Sequence, residues 1–72
     1  MKDENTPDVV FSKRQLDVLT CWGEVGGEAA IAKELNISPH SVHTHLRRVR
    51  AKLKVNRTFD AYKYALKKGM LK

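Results

Sequence analysis

The chain has one cysteine, Cys21, in 72 residues, so an intrachain disulfide is excluded and a reducing compartment fits. It has two prolines, Pro7 and Pro39, which leaves long stretches open to helix. No apolar run approaches the roughly 20 residues that cross a bilayer, and the polar, acidic N-terminus has no signal core. The most informative gap is one of charge. Between Glu34 and Asp60 there is no acidic residue at all. No internal repeat or low-complexity segment is present either.

What is there complements that gap. The formal net charge is +6, and it is distributed unevenly. Residues 1–36 hold four bases against seven acids, whereas residues 37–72 hold ten bases against Asp60 alone. A cationic half on a mildly acidic support implies a directed surface for a polyanion. The length allows one small domain, whose core must be built with little waste.

Residues 1–10 are polar, contain Pro7 and show no helical period, so they are expected to form a flexible arm ahead of a domain spanning 11–72. Ser12 with Gln15 three residues on forms a capping box, and Phe11 with Leu16 a hydrophobic staple, so a first helix starts here. Leu16, Leu19, Trp22 and Val25, with Val18 beside them, are its expected apolar face. Trp22 reads as a core anchor, and Gly26-Gly27 stops the helix. A short alanine-rich helix follows from about 28 to 35, with Ile31 and Leu35 inward. Gly27 and Glu28 supply only a weak cap, and Asn36 suits a left-handed ending.

The third helix is expected over 39–54, capped by Ser38 with Pro39 in its first position. Val42, Leu46, Val49 and Leu53 form its buried stripe. At about 100° per residue, that stripe is centred opposite Thr44, Arg47 and Ala51. His40 and Arg48 lie within the outward arc; His43, Arg50 and Lys54 lie along one flank. Charges for phosphates combined with short polar groups that let a helix reach base edges are what a major groove requires. A merely solvated helix face mixes Glu with Lys, and this one has no acid. A fourth helix is expected from about 58 to 68, capped by Asn56 or Thr58 and ended by Gly69. Phe59, Tyr62, Leu66 and Met70 form one stripe, with Ala61 and Ala65 beside it.

With these residues in place, the chain resembles the LuxR-type (GerE-like) helix-turn-helix domain of bacterial transcription regulators. The resemblance rests on Phe11-Ser12-Lys13-Arg14-Gln15, Val18-Leu19, Ile31-Ala32-Lys33-Glu34-Leu35, Ile37-Ser38, Ser41-Val42, His45, Lys52-Leu53, Val55, Asn56-Arg57 and Ala61. It implies an all-α, compact four-helix domain with a central helix-turn-helix, whose third helix enters the major groove of double-stranded DNA. It also implies a homodimer through the fourth helix, at Tyr62, Ala65 and Leu66. By position, His43, Thr44 and Arg47 would read bases, and Lys33, Ser41, Arg48, Arg50, Lys54 and Arg57 would hold phosphates. Gln15, Val25 and Phe11 depart from the usual pattern at the first corner, and His43 stands where a Lys or Arg is common.

The resemblance implies no cofactor and no small-molecule ligand in this segment, and RNA polymerase is a further partner open to such a domain. Residues two apart on a helix diverge, so His43 and His45 cannot share a metal; His40 and His43 alone make a poor zinc site. No nucleophile motif, carboxylate pair or phosphate loop suggests an enzyme. Two alternatives stay open: a sigma-factor-like promoter-reading module, and a protein-interaction module that does not read DNA. A place in the bacterial cytoplasm, at the nucleoid, is expected. The sequence leaves open whether this is a stand-alone regulator or the C-terminal domain of a longer one.

Overall fold

The structure, a computed structural model, describes residues 9–71. It is all-α: four helices run α1 (Lys13–Val25), α2 (Glu28–Leu35), α3 (Pro39–Leu53) and α4 (Thr58–Lys67), with no strand among the described residues. The arm expected over 1–10 lies mostly outside the described residues. Its last two positions are held: Val9 packs on the core, and the Val10 carbonyl accepts a hydrogen bond from Lys52 Nζ at 2.6 Å.

α1 starts as the capping box requires. Gln15 N–H donates to Ser12 Oγ at 3.1 Å, and Gln15 Oε1 accepts from Ser12 N–H at 3.0 Å. Its inward face is Gln15, Val18, Leu19 and Cys21. Val25, expected on that face, is 42% exposed. Steps of three residues each fall about 60° short of a full turn, so a stripe counted in threes drifts off the core by its fourth member. Gly26, at φ +89°, then ends the helix.

Asn36 adopts the left-handed conformation at the end of α2, and Ile37 N–H returns to the Ala32 carbonyl at 3.0 Å. This tight turn sets α3 across α2. Ser38 caps α3 by accepting from Ser41 N–H at 3.1 Å, with Pro39 in the first turn. The fully buried side chains Val18, Leu19, Ile31, Val42 and Val49 come from α1, α2 and α3, so the core sits among these three helices. Each contributes roughly 1.5–3 kcal/mol of transfer free energy. In a domain this small, those few residues decide whether α3 is held.

α4 packs on α1 and α3 and not on α2. Ala61 and Ala65 are fully buried there, which brings its backbone close. Neither Asn56 nor Thr58 caps it: Arg57 occupies the cap position without a side-chain cap bond. The Thr58 hydroxyl instead accepts from Arg50 Nη1 at 3.4 Å, and Arg57 reaches forward to Asp60 in the first turn. Trp22 is half-buried and joins α1 to α4, with ring centroids 5.4 Å from Tyr62 and 6.4 Å from Phe59.

Candidate nucleic-acid interface

The inward stripe of α3 is Val42, Leu46 and Val49, with Leu53 half-buried at its end. The opposite side is left to solvent, and on it Thr44, Arg47, Arg48 and Ala51 line one open recess. These residues share a ridge because the core claims the other face, so the helical wheel and the packing agree. Arg47 and Arg48 are exposed, and Thr44 is half-exposed between them and α2's end of the helix.

His43 lies at the edge of this ridge. Its Nδ1 is 3.3 Å from Oε2 of Glu28, the first residue of α2, with both side chains about half exposed. Ser41 is half-buried in the first turn, where its Oγ lies 3.0 Å from Ser38 Oγ. Lys33 is exposed on the last turn of α2. Lys54 is exposed at the far end of α3, and its backbone takes the left-handed conformation with φ 57°. A left-handed residue with a Cβ is strained by roughly 1–2 kcal/mol. Nothing in the sequence around Lys54 announced that conformation.

Two expected phosphate contacts are already engaged within the protein. Arg50 is half-buried and directed at Thr58, while Arg57 makes two 3.2 Å bonds to the Asp60 carboxylate. The expected dimer contacts also divide. Ala65 is fully buried in the core. Tyr62 is half-buried and turned towards Trp22. Leu66 is 46% exposed and shares an open, mostly apolar recess with Val55, Asp60, Lys63, Tyr64 and Lys67.

Three residues around the site carry roles that their sequence context did not reveal. Lys52 sits on α3, away from the reading ridge. Its ammonium binds the Val10 carbonyl and Gln15 Oε1, the latter at 2.9 Å, and lies 5.5 Å from the centre of the Phe11 ring. It therefore fastens the start of the domain to the reading helix, 37 positions away from Gln15 in sequence. Gln15 is buried and satisfies both Ser12 N–H and Lys52 with one oxygen. His45 has Nδ1 buried without a hydrogen-bond partner among the described residues. Burial pushes its pKa down, and Arg48 and then Arg14 add to the effect, so the neutral ring is favoured.

Cys21 lies in the core. Its thiol is pushed up, first by burial and then by Glu34, Glu24 and Asp17. No group of three His, Cys, Asp or Glu side chains placed to hold a metal occurs among the described residues. No described helix is long and apolar enough to cross a membrane.

A short helix, a tight left-handed turn and a second helix with a bare cationic ridge define a helix-turn-helix DNA-binding domain. Residues 9–65, most of the chain, match the family described as bacterial regulatory proteins, luxR family, and the chain belongs to that family of transcription regulators. No curated protein sequence matches the chain closely enough to count as a relative.

Proposed function

We propose that this domain binds double-stranded DNA sequence-specifically as a dimer, with α3 in the major groove. The observation that carries the proposal is the open recess of Thr44, Arg47, Arg48 and Ala51 on the side of α3 that the core leaves bare. His43, Thr44 and Arg47 would discriminate bases. Arg47 has the planar fork that matches the O6 and N7 acceptors of guanine. Ser41, Arg48, Lys54 and Lys33 would hold the backbone on either side. Arg50 and Arg57 would join them by exchanging Thr58 and Asp60 for phosphate. Leu66 and its recess would meet a second copy, with Tyr62 at the rim. Such a regulator would work at the nucleoid in the bacterial cytoplasm, where RNA polymerase is within reach.

Two variants separate reading from holding. Arg47→Ala is expected to lose about 1–3 kcal/mol on a selected site and far less on random duplex. Lys54→Gly relieves the left-handed strain, so it should fold at least as well. It should weaken both duplexes alike and lower the slope of log K against log salt by about 0.9. An equal loss on both duplexes for Arg47→Ala removes its base-reading role.

A further inference from the structure

The contact between Glu28 and His43 fixes more than the position of a ring. A carboxylate at neutral pH only accepts, so the hydrogen shared at 3.3 Å between Glu28 Oε2 and His43 Nδ1 belongs to the imidazole. In the neutral ring Nε2 then carries the lone pair. Nε2 lies across the ring from Glu28 and has no hydrogen-bond partner among the described residues. An imidazole side chain free in water favours the opposite tautomer, with the hydrogen on Nε2. That preference is small, and one hydrogen bond to an ionised acceptor is enough to reverse it.

The difference matters at a base edge. The major groove offers acceptors at guanine N7 and O6, and donors at the exocyclic amines of cytosine N4 and adenine N6. A side chain that donates can meet guanine N7 or O6, adenine N7 or thymine O4, and a bidentate cation favours guanine; one that only accepts is restricted to the cytosine and adenine amines. We infer that Glu28 is a positioning residue for base recognition. It holds His43 in the Nδ1–H form, so that Nε2 accepts from a cytosine or adenine amine at a position where a cationic side chain would select guanine. This inference rests on the reading of α3 as the groove helix. It adds a residue on α2, outside the reading helix, to the determinants of specificity.

The test has two arms, both at pH 8, above the ordinary titration range of imidazole. In the first, ring nitrogen shifts of the free protein report the tautomer by NMR. The wild type should show the hydrogen on Nδ1 of His43. Glu28→Ala should show it on Nε2, and Glu28→Gln, whose amide oxygen still accepts, should keep it on Nδ1. A wild-type ring with its hydrogen on Nε2 overturns the inference without any reference to DNA.

In the second arm, bound sequences are selected from a random duplex pool. The wild type should enrich cytosine or adenine at one pair of each half-site, by about fivefold, the worth of one net hydrogen bond. Glu28→Ala should lose that enrichment at that pair alone, and Glu28→Gln should retain it. Enrichment that responds to Arg47→Ala but not to Glu28→Ala overturns the inference and leaves the groove reading standing. No enrichment of any sequence by the wild type overturns both.

Discussion

His45 shows how a single residue joins the core to the conditions outside it. Its ring sits behind the reading ridge with Nδ1 buried, and burial, Arg48 and Arg14 all favour the neutral form. The unfolded chain takes up the proton more readily than the folded one. The stability that depends on the neutral ring is therefore intact above the unfolded pKa, near 6.5. It is lost progressively as pH falls below that value, until the lower folded pKa is passed. Urea unfolding of the wild type and of His45→Gln should show an advantage for the wild type at pH 7.5 that narrows at pH 5.5. An advantage constant over that range would mean that His45 does not titrate against the fold. The buried stripe of α3, Val42, Leu46 and Val49, was legible from the helical wheel, because periodicity fixes direction. The long-range partners of Lys52 were not: its 37-residue reach to Gln15 leaves no local trace in sequence. Gln15 looked like a cap and nothing more, since the capping box accounts for its oxygen without a second donor.

Among the elements, α1 and α4 depend on a close approach that composition does not reveal. Gly23 is exposed in the last turn of α1, where alanine ordinarily gains up to about 0.5–1 kcal/mol. A Cβ there would overlap the hydroxyl and ring of Tyr62, which is packed against Trp22. Gly23→Ala should therefore destabilise the domain, by about 1 kcal/mol, because displacing the ring gives up the aromatic contact between the two helices. In a Tyr62→Ala background the same change should turn stabilising. Denaturation midpoints of the four proteins check this, and additive effects would show that Gly23 and Tyr62 do not meet. Helix starts and stops with local causes were readable: Ser12 with Gln15, Ser38 with Pro39, and Asn36 all cap where expected. The end of α3 and the start of α4 were not. There a lysine accepts the left-handed conformation, and Thr58 is drawn to Arg50, so tertiary contacts outvote capping preference.

At the scale of the whole molecule, the acidic and basic halves of the chain map onto support and surface. Of the five acids within the four helices, α1 and α2 carry four, while α3 and α4 carry six of the nine helical cations. That division predicts a binder whose affinity falls steeply with salt. The apolar recess around Leu66 lies on α4, separate from the ridge lined by Thr44, Arg47, Arg48 and Ala51, so pairing and reading should be separable. Leu66→Glu should leave binding to a single half-site unchanged and lower affinity for a full palindrome at least about tenfold, through lost cooperativity. Equal affinity of this variant and the wild type for the palindrome would place the dimer contact elsewhere. The burial of Ala65 was beyond the reach of pattern, because an alanine strip serves equally to admit a neighbour within the fold or a second copy outside it.

The claim on which the account turns is that the bare side of α3 lies against base edges in the major groove. Replacing each guanine of a selected site in turn by 7-deazaguanine removes the N7 acceptor from that groove and leaves the minor groove untouched. The wild type should lose affinity at one guanine per half-site, and Arg47→Ala should be indifferent to the change there. Undiminished binding by the wild type at every substituted guanine, with sensitivity only to groups in the minor groove, would contradict it.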